Sequence, residues 1–310
     1  MLKFSFPENP NLSNVDELTI QFFRTLDIRY SSKDTYKKQL GEFIVWQKKN
    51  KIMTPDREDI LAYKEFLKEK KLLAPHTIAG YLVALRRFFE WLDFSRIYPN
   101  ITKGVKGPKR KKGFKKDSLT LVQVKKLLNS VERKSLVGKR DFAMLNLMIR
   151  TGLRTIEIIR ANKEDLCQQG GSPVLLVHGK GRDSKDEMVL LTESALTPIK
   201  EYLKARGKVR DEDPIFASVS TKNAGKRLTT RSISRIVKTR LQDIDIDDSR
   251  LTAHSLRHTA ITFSLMGGAT PQEARSMARH SDINTTMIYA HNIDRIEQAP
   301  EKKIDDLLNK

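Results

Sequence analysis

Four separated pieces of this 310-residue chain could do chemistry together: Thr151-Gly152-Leu153-Arg154, His254-Ser255-Leu256-Arg257-His258, His280 and Tyr289. A guanidinium offers a planar fork of N–H donors that matches phosphate oxygens two at a time. Two such forks, at Arg154 and Arg257, could flank one phosphate. An imidazole titrates near neutrality, so His254 and His280 could manage protons there. A tyrosine supplies an oxygen nucleophile, but a phenol with a pKa of ~10 needs a base or nearby cations to attack at pH 7. Jointly the pieces read as a site that breaks and rejoins a phosphodiester through a phosphotyrosine.

Each piece alone has a plainer reading. Glu157 follows Arg154 by three residues, the spacing of a surface ion pair on a helix. His254, Arg257 and His258 fall at i, i+3 and i+4, on one side of a helix. The two histidines match the spacing of a zinc-binding helix, yet no glutamate occupies the general-base position between them, and Arg257 would repel a cation. The reading therefore includes no metal and no cofactor. His258 reads as a structural histidine, and Tyr289 by itself as a packed aromatic.

The elements that must position these groups are legible. Thr120-Leu121-Val122-Gln123 is a capping box. Phe142 to Ile149 reads as a buried helix ending at Thr151-Gly152, where glycine suits a left-handed C-terminal turn and leaves Arg154 at the next helix start. Val174 to His178 and Met188 to Leu191 are strand-like and joined by Gly179-Lys180-Gly181-Arg182-Asp183-Ser184, a hairpin with Lys180 at the bend. From Thr192 the chain reads mostly helical, and Thr270-Pro271-Gln272-Glu273 starts a helix leading to His280. Residues 12 to about 95 also read as helices. Thr35 to Lys49 carries Tyr36, Leu40, Phe43 and Ile44 as a stripe. Thr54-Pro55 suits an N-cap with proline at the first helical position. Pro75 to Leu92 places Ile78, Leu82, Leu85, Phe88 and Phe89 on one face, with Arg86 and Arg87 mostly off it. The expected fold class is mainly α with a small β-hairpin or sheet (α+β).

A chain of this length favours two domains. Residues 103–116 hold eight basic residues, three glycines and no acid, a composition that cannot bury enough to fold alone. The expected division is a helical domain at 12–100, a basic linker at 101–117 and a second domain at 118–310. Lys and Arg total 58 against 38 acidic residues, a net charge of +20 that favours nucleic acid as partner. Candidate DNA contacts are Arg86 and Arg87, Lys109, Arg110, Lys111 and Lys112 of the linker strap, and Arg231 and Arg235, with Lys238 and Arg240, on a helix from Thr229 to Leu241. No apolar run approaches the ~20 residues of a membrane span. No secretory signal opens the sequence, and the single Cys167 excludes an intramolecular disulfide. A cytoplasmic location is expected.

The order and spacing of Arg154, Lys180 in a β-turn, His254-x-x-Arg257, His280 and Tyr289 resemble the tyrosine recombinase (phage integrase) family. The resemblance covers nearly the whole chain, with 12–98 similar to the family's helical core-binding (SAM-like) domain and 118–310 to its catalytic domain. It implies that Tyr289 attacks a scissile phosphate of double-stranded DNA, giving a 3′-phosphotyrosyl link and a free 5′-hydroxyl. Arg154 and Arg257 would stabilise the phosphate oxygens, Lys180 would protonate the leaving 5′-oxygen, His254 and His280 would share acid/base duties, and Glu157 would buttress the site. No metal or ATP would be needed. The implied function is site-specific recombination, as integration, excision or resolution, by a tetramer on two DNA sites. Accessory DNA-bending proteins could assist, and the protein would associate with the nucleoid when bound.

Two departures stand out. Arg279 takes the place where many relatives have glycine. The hairpin after Lys180 looks long and acidic at Asp186 and Glu187, which makes Lys185 an alternative lysine. The start of the chain suggests a simple Xer-like or mobile-element type. Ile296, Ile304, Leu307 and Leu308 could form an apolar face that docks on a neighbouring protomer or folds back on its own domain. Competing readings are a catalytically silent recombinase-fold DNA-binding regulator and a type IB topoisomerase-like enzyme acting as a monomer.

Overall fold

The structure, a computed structural model, describes residues 14–109, 118–178, 184–297 and 299–309. The chain divides into two compact units, Met1–Gly113 and Phe114–Lys310.

In the first unit four helices enclose an aromatic core: α1 (Val15–Thr25), α2 (Tyr30–Lys49), α3 (Arg57–Glu65) and α4 (Pro75–Phe94). Phe22 meets Phe88 edge-on at 5.4 Å, and Phe43 meets Tyr63 at 5.0 Å, an arrangement that sets ring edges against π-faces. The aromatics of α4 are therefore core residues. Helix α3 starts two residues later than Thr54-Pro55 suggested. Asp56 is the N-cap, accepting from the Glu58 and Asp59 N–H groups at 2.7 and 3.0 Å, while Asp59 accepts from the Asp56 N–H. This reciprocal capping satisfies donors that a threonine cap would leave. The Pro55 carbonyl instead accepts from the Tyr98 hydroxyl at 2.7 Å. Arg86 donates to the Val105 carbonyl at 2.7 Å, which ties the chain after α4 back onto it. Arg87 and Lys109 are exposed.

The second unit packs α5 (Leu121–Ser130), α6 (Leu136–Thr151), α7 (Thr155–Arg160), α8 (Glu193–Arg206), α9 (Thr230–Gln242), α10 (Ala253–Met266), α11 (Pro271–Ala278) and α12 (Asn284–Glu297) with one small sheet. Helix α13 (Pro300–Leu308) follows. The sheet is antiparallel in the order β1 (Leu166–Gln169), β2 (Ser172–Val177), β3 (Glu187–Leu190), with Leu175 opposite Val189. The β2–β3 hairpin is the expected one, and Lys180 in its turn lies outside the described residues. Strand β1 escapes sequence reading because Leu-Cys-Gln-Gln lacks alternation; the turn Gly170-Gly171, both at positive φ, folds it onto β2. Helix also fails between Arg206 and Thr229, where the chain makes a short 3-10 turn, Thr221–Asn223, and isolated β-bridges of Pro214 with Asn162 and of Ala217 with Arg227.

Helix α6 is the centre of this unit, and Ala143, Met144, Leu145, Leu147 and Met148 have no exposure. Gly138 in its first turn is required by a close approach, since a Cβ there would lie 1.8 Å from the Glu132 carbonyl oxygen. Helix α9 buries Ile233, Val237 and Leu241 at four-residue steps, which turns Arg231 and Arg235 outward. Arg240 does not share that outer face. Its Nη2 lies 2.7 Å from Asp141 Oδ2, whose other oxygen is held by Arg140 at 2.7 Å, so Arg240 fastens α9 to α6. Arg110, Lys111 and Lys112 of the strap lie outside the described residues. On α13, Ile304, Leu307 and Leu308 are 55%, 72% and 78% exposed, so this face is not folded back on its own unit. The Ile296 side chain lies outside the described residues.

Candidate active site

Two chain reversals meet around one buried arginine. The first is the end of α6, where Gly152 takes the left-handed conformation at φ 61°. The second is the end of α11, where Arg279 does so at φ 54°. Helix α10 lies against both and carries Arg257, which is 2% exposed. Arg257 Nη1 donates to the Gly152 carbonyl and Nη2 to the Ala278 carbonyl, so one guanidinium joins the two turns. Burial, with the charges of Arg154 and Arg279, pushes this guanidinium down to about 9. It still carries its charge at neutral pH.

Arg154 sits at the N-cap of α7. Its backbone N–H donates to Glu157 Oε2 at 2.7 Å, its Nη1 to Glu157 Oε1 at 2.7 Å and its Nη2 to the Arg279 carbonyl at 2.8 Å. The expected surface pair is thus a buried one, with Glu157 only 3% exposed. Arg279 Nη2 adds a third contact to Glu157, at 2.8 Å from Oε2. Burial opposes the Glu157 charge, but Arg279 and the hydrogen bonds from Arg154 outweigh it and hold the carboxyl below its usual range. The Arg279 side chain is 6% exposed and turned into the site.

His280 follows directly. Its Nδ1 pairs with the Thr286 hydroxyl at 2.9 Å, and its carbonyl accepts from Arg275 Nε at 3.1 Å. Burial and the positive charges of Arg257, Arg154 and Arg279 push the imidazole down to about 4, so it is neutral at pH 7. Tyr289 stands on α12, 5% exposed and packed with Ile261 and Ala278. Its hydroxyl is hydrogen-bonded to His258 Nδ1. Burial pushes the phenol up to about 12, although Arg257 works in the other direction. His254 meets His258 edge-on, ring centres 4.6 Å apart.

His258, read from sequence as a structural histidine, lies against Tyr289 in the structure. It is one turn after His254 and next to Arg257, yet nothing local says that Tyr289, 31 positions later, falls against it. Thr286 went unremarked for the same reason. The metal-pair reading of His254 and His258 gains no further ligand, since no group of three His, Cys, Asp or Glu suited to a metal occurs among the described residues. Lys185, the alternative lysine, is engaged elsewhere: its Nζ lies 2.6 Å from Asp165 Oδ1 and 3.2 Å from Glu164 Oε1. Two carboxylates ahead of β1 hold it.

The site now has the parts for work on an anion: two arginine forks braced from behind, a neutral imidazole and a phenol held by a second imidazole. A guanidinium has five N–H donors, more than the named protein partners of Arg154 or Arg257 occupy. The depressed His280 has a consequence for stability. An unfolded chain protonates this histidine near 6.5 and the folded one near 4, so acid favours unfolding. Its contribution is complete above pH 6.5 and is lost as the pH falls toward 4. Thermal midpoints measured across that window should fall more steeply for the wild type than for His280→Gln; parallel curves would contradict the assignment.

Comparison with known proteins places this geometry. The model of the phage integrase family matches residues 117–295, and that of its N-terminal SAM-like domain matches residues 19–94. Tyrosine recombinase XerD of Listeria innocua is 30% identical over 263 residues, covering 83% of this chain and 86% of its own length. Tyrosine recombinase XerC of Caldanaerobacter subterraneus is 31% identical over 257 residues, covering 81% of this chain and 69% of its own. Among solved structures, the fold resembles the XerH site-specific recombinase in its post-cleavage complex with palindromic difH substrate, at a TM-score of 0.69, 21% identity and coverage of 87% and 80% of the two chains. It also resembles the Tn1549 transposon integrase in complex with transposon right end DNA, at a TM-score of 0.69, 16% identity and coverage of 89% and 94%. Described residues include no helix long and apolar enough to cross a membrane. The chain belongs to the phage integrase family.

Proposed function

We propose that this chain is a site-specific tyrosine recombinase that cleaves and rejoins double-stranded DNA, with Tyr289 as its nucleophile. One observation carries the reading: Tyr289, His258, Arg257, Arg154 and His280, scattered over 136 positions of sequence, come together in one cluster of the second unit. In this reading the phosphate sits between the arginine forks. Their fixed donors stabilise the negative charge that grows on its non-bridging oxygens, the kind of preorganised electrostatics that usually dominates such steps.

The phenol attacks phosphorus and the 5′-oxygen leaves. At pH 7 a phenol at about 12 is almost wholly protonated, so its proton must depart during attack. His258 Nδ1, already on that hydroxyl, is placed to take it. His280, kept neutral, hydrogen-bonds a phosphate oxygen without competing for the negative charge, and His254 supports the same side. Lys180 gives a proton to the leaving 5′-oxygen, and Glu157 fixes Arg154. The phosphotyrosyl bond retains the energy of the phosphodiester, so attack by a 5′-hydroxyl restores DNA without ATP or a metal.

Domain roles follow. The first unit and the basic strap grip DNA, with Arg87 and Lys109 exposed for this purpose and Arg110, Lys111 and Lys112 beside Lys109 in sequence. In the second unit Arg231 and Arg235 present an outward cationic row. Such a protein works where chromosomal DNA is, in the cytoplasm, and some of its sites would call on accessory DNA-bending proteins. Recombination needs two sites and four protomers, and the exposed apolar face of α13 gives each protomer something to offer a neighbour.

A covalent-trapping experiment tests the central claim. Wild-type protein and Tyr289→Phe are incubated with nicked DNA from the flanks of the encoding element in the presence of EDTA. A slow band on a denaturing gel, formed by wild type alone, is the expected result; site-specific binding with no band would make the chain a DNA-binding regulator instead. Charge reversal at Arg231 and Arg235 should weaken DNA binding and flatten its salt dependence, since each lost phosphate contact lowers the slope of log K against log[salt] by about 1. An unchanged slope would remove these residues from the interface. Deleting residues 297–310 should leave binding to a single site intact and reduce assembly on paired sites, read by gel shift or light scattering; normal tetramers would argue against docking through α13.

A further inference from the structure

Arg279 is a residue of the site that the reaction above does not employ. We propose that Arg279 is a positioning residue of the same site, whose guanidinium takes up the negative charge of Glu157 and so keeps the charge of Arg154 available to the phosphate. The inference rests on the recombinase reading but concerns a residue to which that reading gives no role.

Three observations support it. The backbone first: Arg279 caps α11 in the left-handed region, at φ 54°, where a glycine would sit at lower cost. A side chain kept at such a position has something to compensate for it. Next, the side chain does not go to solvent as an arginine normally would. It turns inward to 6% exposure, with Nη2 on Glu157 Oε2 at 2.8 Å and Nη1 on the Met277 carbonyl at 2.7 Å. Its Nε is 3.7 Å from Glu187 Oε2 on β3, so the same group reaches the strand that follows the Lys180 turn.

The third observation is charge. Glu157 is almost inaccessible to water, and with Arg154 alone it would form a formally neutral pair, drawing the fork's field back into the protein. Arg279 makes the inner cluster two guanidiniums on one carboxylate, each carboxylate oxygen accepting from an arginine. Glu187, farther off at 3.7 Å and 31% exposed, is screened by solvent, so the buried cluster of Arg154, Arg279 and Glu157 keeps a unit positive charge. Meanwhile the Arg279 carbonyl accepts from Arg154 Nη2, so the residue both aims the fork and preserves its charge. In a buried site, where charges are poorly screened, this difference acts on the transition state more than on encounter with DNA.

The test uses single-turnover cleavage of nicked DNA at saturating protein, with DNA affinity measured in parallel. Arg279→Gly, Arg279→Lys and the double variant Arg279→Gly with Glu157→Gln are compared with the wild type. Arg279→Gly should slow covalent-complex formation by about tenfold or more, below the ~10²-fold of a lost direct donor, and change DNA affinity far less. Arg279→Lys, which keeps the charge, should retain most of the rate. The double variant should recover most of what Arg279→Gly lost, because the carboxylate that Arg279 offsets is gone. A wild-type rate in Arg279→Gly, or a double variant no faster than Arg279→Gly, would overturn the proposal.

A second measurement does not depend on cleavage. Arg279 is one of the charges holding His280 down, together with Arg257, Arg154 and His254. The His280 titration followed by NMR should therefore move upward in Arg279→Gly and stay close to wild type in Arg279→Lys. An unmoved titration would overturn the charge role. A wild type that forms no covalent complex at all would instead defeat the recombinase reading, and the titration would still decide what Arg279 does.

Discussion

The contact on which this site depends is that of a buried guanidinium with two backbone carbonyls. Taking a charged group out of water costs several kcal/mol unless polar partners replace the solvent. Arg257 finds them at the C-terminal ends of α6 and α11, where carbonyl groups lack intrahelical partners and the helix dipole is negative. One side chain thereby completes two helices. It also fixes what comes next in each case: Arg154 two residues after Gly152, and His280 two residues after Ala278. Neither group needs a separate device to bring it to the centre.

The site so built is crowded with positive charge. Three arginines lie around one buried carboxylate, and the strain is visible in the groups that titrate: His280 is driven toward the neutral form and Arg257 is pushed down. Like charges crowded in this way make the fold less stable than it could otherwise be. Anything anionic that fills the site relieves the repulsion and stabilises the folded chain in proportion to its affinity. Stability is here given over to preorganisation, a trade often found where charge must be stabilised in a transition state.

How much of this could be read from sequence depends on the range of the physics involved. Glycine at a helix end, capping boxes at Thr120 and Thr270 and the hairpin of β2 and β3 are local, and their residues announced them. The start of α3 was misplaced by two residues because Thr54-Pro55 and Asp56 offer competing local signals, and only the reciprocal hydrogen bonds choose between them. Strand β1 has almost no local signal. For the site, residue types and order point to Arg154, Arg257, His280 and Tyr289, which the fold brings near one another. Two assignments required the third dimension. His258 belongs to Tyr289 because α10 and α12 pack together, and Arg279 belongs to Glu157 because the turns after α6 and α11 share one arginine. Side chains in contact across 31 and 122 positions leave no mark in local pattern.

The burial of Tyr289 bears on the fate of the intermediate. A phosphotyrosyl diester can be resolved by two competing acceptors, the hydroxyl of a DNA end or water at some 55 M, and only the first leaves the duplex intact. The tyrosine ring is 5% exposed, enclosed by α10, α11 and α12, and its oxygen faces an imidazole. With Tyr289 as the nucleophile, water would reach the ester from few directions on the protein side, and bound DNA would cover the other. On the proposed reading, the wall that makes the phenol reluctant to ionise would also bias the partition toward ligation.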